Sequence, residues 1–563
     1  MNRKLLFFAF AAFIGLLAAA QPKQEVRAVW LTTNSSLDWP SSSNQTAQKS
    51  ELTSILDKLE AANFNTILLQ VQVKGDVLWD SSYQPSMANF TGSGSRNLDW
   101  NVCKYVIDEC HKRHMECHAW IVPYRVGTKN EANRYASNPR KHVVLTHPEW
   151  CVEYSGAYYL DPAQPEVRQY LLDVYRELIE NYDFDGTNFD YTRYPTSSLT
   201  GFDDSASYAK YGNGQNKADW RRENINKFTH AFYDMAKSIK PGIKVGSAPI
   251  GTYQNAPGYS NSTAYSLFQD PIEWMNAGKH DIAFPQLYWN GRFGYTPHLQ
   301  MWAEKAKGRH IVAGLAPYKM GDSNNWDVSE VTNQIVVARG TDDVRGVCFF
   351  RVAHVIGTSN AKYQQLYSQL CDNYFKYPAN IPPMEYNGVT KPDAPANVTA
   401  EIADGKCRIT WDAPLADAES APIKYYCVYR ASRAADITNI KNCIGHYITG
   451  NSFTFNTDNP DIGLAITAFD ANYYESDPVL VKASGVEDAI VTRRLTITSD
   501  AIEAELDCEV KDVAVVNVQG QVIVAASPAS SRFGLDISQL QPGFYVLTVR
   551  TADGKSSSEK FIK

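Results

Sequence analysis

Residues 183–195 read DFDGTNFDYTRYP. The middle of this stretch alternates like a β-strand and stops at Asp190, with Arg193 and Tyr194 behind it and Pro195 to end the run. Proline lacks the N–H that a strand ladder needs. A core strand has no use for a carboxylate at its last position, because an ionised carboxyl is costly to bury unless it is solvated or paired. A functional site does have a use for one, and Arg193 is near enough in sequence to pair with it. Asp185 and Asp190 differ in parity, so the two acids face different surroundings. Asp185-Gly186 reads as a turn into the strand.

Outward from this stretch, strand-like apolar runs fall at 26–33, 65–72, 115–122, 184–190, 243–250, 281–289, 309–316 and 345–352. Helical patterns occupy 47–62, 99–113, 165–181, 219–239, 270–277, 297–306, 327–338 and 360–373. Strand and helix in alternation predict a parallel sheet, and eight such units predict an α/β fold of the (β/α)8 TIM-barrel type. A doubly wound sheet is the competitor, but no GxGxxG follows the first run. The segments after the second and third runs are long, 73–98 and 123–164. Loops at the C-terminal ends of barrel strands build the working face, so this asymmetry marks the mouth.

The remaining chain divides by composition. Residues 1–20 have a short positive start (Arg3, Lys4), an apolar run and an Ala18–Ala20 exit, the pattern of a secretory signal peptide. The run is short for a membrane anchor, no cysteine follows it as in a lipoprotein, and no second span of membrane length appears. An exported protein, in the periplasm, on the outer cell surface or extracellular, is expected. The barrel is expected over 25–376 and a Pro-rich linker over 377–392. Two small all-β sandwich modules follow, at 393–484 and 486–563. A net charge of -7 and a pI near 5.9, without a Lys/Arg stripe, argue against a nucleic-acid partner. The ten cysteines show no CxxC pair of zinc spacing; export permits disulfides, whose pairing the sequence leaves open, and most of the cysteines are read as isolated buried thiols.

Several polar and aromatic side chains fall near the predicted strand ends. Asp38 follows the first; Gln70, Gln72 and Asp76 lie at or after the second; His118, Trp120, Tyr124 and Arg125 cluster about the third. Arg193 and Tyr194 follow Asp190, Gln286, Tyr288 and Trp289 close the sixth run, and Tyr318 follows the seventh. Amides and acids hydrogen-bond hydroxyls and rings stack on pyranose faces, so the joint pattern points to a polysaccharide ligand. Asp190 is the expected nucleophile or base, with Asp76 and then Asp38 as candidate acids. Gln70, His118, Tyr124, Arg125, Arg193, Tyr194, Gln286, Tyr288, Trp289 and Tyr318 are the expected sugar contacts. No cofactor is expected. His111, His114 and His118 raise a metal-dependent deacetylase or lyase as a weaker reading, although HKRH at a helix end also suits the helix dipole.

The stretch at 183–195 resembles the DGIHLDYIRYP signature of the glycosyl hydrolase-like 10 family. The likeness extends through RAVWLTTNSSLDWP, LLQVQVKGDVLWDSSYQPSM, YYLDPAQPEVRQYLLDVYRELIENYDFDG, KVGSAPIG and DIAFPQLYW. It implies a glycoside hydrolase acting on bacterial-envelope or environmental glycans, peptidoglycan strands among them, through one protonating carboxyl and one nucleophile or base. Thr187 and Asn188 stand where the family pattern has Ile-His, and KGDVLWDSSYQP departs from a region where relatives often carry an Arg and a PWS motif. No Glu stands at a strand end, which keeps a non-catalytic glycan binder as the alternative. The spacing of Trp411 and Tyr429 resembles a fibronectin type III module. The end of the chain, through VAVVNVQGQVI and LDISQLQPGFYVLTV to FIK, resembles the C-terminal sorting domains of type IX secretion in Bacteroidetes-like bacteria.

Overall fold

The computed structural model describes residues 21–563 apart from 255–262, 388–390, 415–420, 458, 460, 486–491 and 553–555. The expected signal peptide lies outside the described residues. Eight parallel strands form the first domain: β1 (Val26–Leu31), β2 (Thr66–Val73), β3 (Glu116–Ile121), β4 (Gly186–Phe189), β5 (Lys244–Ser247), β6 (Ile282–Ala283), β7 (His310–Leu315) and β8 (Val344–Phe349). Each hydrogen-bonds to the next, and β1 pairs with both β2 and β8, which closes the ring. Helices α1 (Gln45–Ala61), α2 (Val102–Lys112), α3 (Pro165–Asn181), α4 (Lys217–Ile239), α5 (Pro271–Asn276), α6 (Thr296–Lys305), α7 (Val328–Arg339) and α8 (Ala361–Gln369) follow the strands in turn. This is the TIM barrel that the periodicity predicts.

The largest departure is β6, expected over 281–289 but only two residues long. Pro285 has no N–H to give to the ladder. Beyond it the chain keeps its place through isolated bridges of Gln286 to Ile250 and to Gly314. That preserves the barrel wall and carries Gln286 to its rim.

Alternate residues of β1 point inward, and Val26, Ala28 and Trp30 join Leu68, Trp120, Phe284, Val312 and Cys348 in an interior cluster. The outward faces of the strands pack against the helices in a second, larger core. Small residues make room for large ones inside. A methyl group on Gly186 would stand 2.6 Å from the His118 ring. The Asp-Gly of the opening stretch is thus a steric requirement of the barrel interior, made by a histidine one strand away.

The N-terminal end of the barrel holds buried charge. Glu116 accepts from Lys244 Nζ at 2.5 Å and pairs with His118 Nε2 at 3.0 Å. Burial alone would raise the Glu116 carboxyl; Lys244 and His118 hold it well below the usual range. Tyr473 lies over Lys244, its ring centroid 4.7 Å from Nζ, and Lys424 donates to the Tyr473 hydroxyl at 2.6 Å. Lys23 pairs with Glu475 at 2.6 Å, and His114 stacks on Tyr447 at 4.5 Å. The second domain therefore seats on the base of the barrel. The segment expected as a linker takes part in this contact: Ala379, Asn380, Ile381 and Met384 are buried, and Tyr425 donates to Asn380 Oδ1 at 3.1 Å.

That second domain is all-β, with seven strands between Ala396 and Gly485 in one continuous path. The parallel pairing of Ala396–Ala403 with Val479–Gly485 joins its two halves. The C-terminal domain is a six-stranded antiparallel unit from Thr492 to Ile562, organised around the long strand Ala501–Asn517. Among the described residues no helix is long and apolar enough to cross a membrane. Among the described residues, Cys103, Cys110, Cys117, Cys151, Cys348, Cys371, Cys407, Cys427 and Cys443 are free thiols.

Gly186→Ala should destabilise the protein by about 1–3 kcal/mol, since the added methyl overpacks against His118. Denaturant unfolding of the two proteins checks this.

Candidate active site

Asp190 follows directly on β4, and its N–H continues the ladder to the Ile121 carbonyl at 2.9 Å. It is 5% exposed. Its Oδ1 accepts from the Tyr191 N–H at 2.8 Å and from Gln286 Nε2 at 3.3 Å. Gln286 also donates to the Ala248 carbonyl at 3.1 Å, which fixes the amide across the rim. Burial pushes the Asp190 carboxyl up; Arg193, the Tyr191 N–H, the Trp120 indole and Gln286 pull it back, and burial wins. The result is an acidic group less acidic than an ordinary aspartate.

Beside it, Tyr191 adopts φ 50° and is 48% exposed. The Arg193 guanidinium lies 4.4 Å from the Tyr191 ring centroid, and its Nη1 is buried without a hydrogen bond. Arg125, partly exposed at the start of a short strand paired with Tyr159, acts on the same phenol. The far wall is aromatic. Tyr288, Tyr318 and Phe350 stand 5.9–6.2 Å apart by ring centroids, and Trp30 meets Phe350 at 6.0 Å. Trp289, half-buried, stacks on His298 at 4.7 Å. The structure thus gathers Asp190, Arg193, Arg125, Gln286, Tyr288 and Tyr318 around one mouth.

Asp76 lies on the same end of the barrel, past β2, in a pocket shared with Thr33, Asn34, Lys74, Glu131 and Tyr135. The Tyr135 hydroxyl donates to its Oδ2. Burial raises the Asp76 carboxyl to about 7 against the pull of Tyr135 and Lys74. Neighbouring Glu131 goes the other way: burial would raise it, but Lys74 at 2.7 Å and the Thr128 N–H hold it at about 2. Two carboxyl groups in one pocket are therefore set apart, one retaining its proton up to about neutrality and one ionised well below it. Glu131 and Tyr135 were not singled out by sequence; they lie inside the long segment after β3, where no periodicity marks them.

Other expected site residues have structural work instead. Asp38 pairs with Arg351 and accepts from the Thr32 and Ala353 N–H groups at 3.0 Å, its side chain fully buried. Gln70 Oε1 accepts from Thr32 Oγ1 at 2.7 Å and from the Asn34 N–H at 2.8 Å, clamping the turn after β1. His118, expected as a sugar contact, faces the barrel interior one layer too low, where it meets Glu116 rather than the mouth. Tyr124 is buried against Phe228 at 5.7 Å, in the layer between strands and helices. Tyr194 is buried between Phe202 and Phe268, each at 5.4 Å, with Arg221 over its ring.

The three histidines behind the metal reading do not converge. His111 pairs with Asp185 at 2.8 Å, His114 stacks on Tyr447, and His118 bonds Glu116. Among the described residues no group of three or more His, Cys, Asp or Glu is placed to hold a metal ion. Asp185 also accepts from the Cys117 N–H at 2.9 Å, at the barrel end opposite Asp190.

The sequence profile of the glycosyl hydrolase-like 10 family matches residues 25–331. The chain belongs to this family. Glycosyl hydrolase YngK of Bacillus subtilis (strain 168) is 29% identical over 455 residues, covering 76% of this chain and 87% of that protein. Glycosyl hydrolase DigH of Escherichia coli (strain K12) is 31% identical over 370 residues, 59% of this chain and 84% of its own. Among solved structures, the glycoside hydrolase domain of PgaB (BpsB) from Bordetella bronchiseptica aligns at 13% identity with a TM-score of 0.42, over 62% of this chain and 98% of that one. Residues 491–563 match a secretion-system C-terminal sorting domain, which implies export. The family match spans β1 to the start of α7, and so includes Arg125, Asp190, Arg193, Gln286, Tyr288 and Tyr318, while Phe350 lies beyond it.

Two outcomes separate the acids. Asp38→Ala leaves Arg351 without its buried partner and should cost about 3–5 kcal/mol of stability by denaturant unfolding. Asp76 has a folded pKa above its unfolded value, so its contribution is fully present below about pH 4 and lost as pH rises through about 7. Asp76→Asn should therefore melt with wild type at pH 4 and above it at pH 8, as scanning calorimetry at the two pH values would show.

Proposed function

We propose that the mouth hydrolyses a glycosidic bond in an exported polysaccharide-degrading enzyme, with Asp190 as nucleophile or base and Asp76 as the protonating acid. The observation that carries this reading is the buried Asp190 carboxyl, opened to the rim at a strand end and held by donors from Gln286 and Tyr191. Asp76 supports it: a carboxyl with a pKa of about 7 still carries its proton near neutrality, as a general acid must. Both stand at the C-terminal end of the strands, Asp76 past β2 and Asp190 just after β4, with β3 between those strands. Tyr191, Tyr288, Tyr318 and Phe350 supply ring faces for pyranoses, and Arg193 and Arg125 supply donors to hydroxyl or acidic groups. Peptidoglycan glycan strands are the first substrate to try, and the sorting domain is read as the handle taken by type IX secretion machinery.

One observation favours a second reading. The groups acting most strongly on Asp190 are Arg193, Tyr191, Trp120 and Gln286, with no carboxyl among them, and Asp38 is committed to Arg351. A barrel that holds a glycan without cutting it fits these facts.

The test is a panel of purified glycans, peptide-free peptidoglycan strands included, read by mass spectrometry. Under the hydrolase reading wild type releases products. Asp190→Asn then loses roughly 10²–10⁴-fold in kcat, the usual worth of a positioned proton-transfer group or more, with an unchanged melting profile. The kcat profile should fall on the acid side above the ordinary aspartate range and on the alkaline side near pH 7, where Asp76 ionises. Asp76→Asn should erase the alkaline limb. Glycan retention by both proteins with no product from either gives the result to the binder.

A further inference from the structure

Asn188 and Asp190 are two residues apart on β4 and share a face. That face is the barrel interior, since Asn188 Oδ1 accepts from Trp30 Nε1 at 3.3 Å and Trp30 belongs to the interior cluster. Across the ladder, Trp120 of β3 stands in register with Asn188. Asn188 is 0% and Trp120 4% exposed. Yet Asn188 Nδ2 and Trp120 Nε1 each lack a completed hydrogen bond. A buried donor left in this condition is destabilising, because it gives up its hydration and gains no partner. Two of them on neighbouring strands, in one layer, directly beneath the same carboxyl, make a pattern that packing alone does not call for.

The bonds that Asp190 does receive from Tyr191 and Gln286 both fall on Oδ1; Oδ2 receives neither. We propose that Asn188 and Trp120 are positioning residues whose Nδ2–H and Nε1–H form a donor floor for Asp190 Oδ2, holding the carboxylate ionised and aimed at the substrate. The Trp120 indole already acts on the Asp190 carboxyl in the sense that favours its ionised form. The inference rests on the role proposed for Asp190, but its first readout needs no substrate.

Full-length protein labelled with 13C at aspartate side chains, with Asp190→Asn used to assign the resonance, reports the Asp190 titration directly. Trp120→Phe removes one N–H and keeps the ring; Asn188→Ala removes the other, and Asn188→His restores a donor. Each deletion should raise the Asp190 midpoint by about 0.5–1 pH unit, the worth of one hydrogen bond to the charged form, and Asn188→His should return most of the shift. With a cleavable glycan, the acid limb of kcat should move by the same increment, kcat on the acid side should fall about 3–10-fold by the same conversion, and KM should hold within twofold. An Asp190 midpoint unchanged in both Trp120→Phe and Asn188→Ala, in proteins that melt like wild type, overturns the floor. Absence of glycan cleavage by wild type overturns the hydrolase reading and leaves the titration result standing.

Discussion

Closing eight strands into a ring creates an interior with no solvent, and the rest of this structure answers to that constraint. The space is filled at its middle by Trp30, Trp120 and Phe284, so ligand can approach only from an end. At one end the chain leaves the strands with polar side chains turned inward, Asp190 and Gln286 foremost. At the other it has placed Glu116, His118 and Lys244 in the same dry column. Charges in such a place must be matched to one another or covered, because water cannot reach them. The two ends solve the problem differently. The base is neutralised pair by pair and roofed by Tyr473; the mouth keeps a carboxyl whose partners only partly offset its burial.

Direct pairing with a cation, rather than the direction in which burial pushes the carboxyl, separates a structural acid from one suited to chemistry, since burial raises Asp38 as it raises Asp190. Asp38, Glu116 and Asp190 are all buried carboxyl groups near strand ends. Asp38 and Glu116 each have a cation within hydrogen-bonding distance, whereas Asp190 leans on a backbone N–H and an amide, with its arginine turned over a tyrosine ring. A proton on Asp38 or Glu116 would break an ion pair. A proton on Asp190 would break none, which leaves that group free to gain and lose one.

The barrel was legible because strand and helix periodicities alternate without interruption, and the helix expected at 165–181 is the helix found, Pro165–Asn181. Parity likewise told Asp185 and Asp190 apart, and each sits at its own end of β4. What parity cannot give is depth. His118 and Trp120 share a face, but one lies beside Glu116 and the other beneath Asp190. Past the last strand residue, parity itself fails, and so Tyr124 and Tyr194 went into the packed layers rather than the mouth. The Tyr135–Asp76 contact joins positions 59 residues apart through a loop, where nothing in the local pattern foretells a partner. The shortened β6 shows the converse: Pro285 was visible, but the bridges that carry Gln286 past it depend on strands on either side.

The seating of the second domain on the base has a geometric corollary. The chain reaches its sorting domain only after passing through a unit bonded to the barrel at Lys23, His114 and Lys244. The floor of the cup is therefore occupied by the protein itself, at the end opposite Asp190. Were the molecule moored to a surface by its tail, the mooring would run through the underside, and the rim would be free to turn toward whatever drifts past outside.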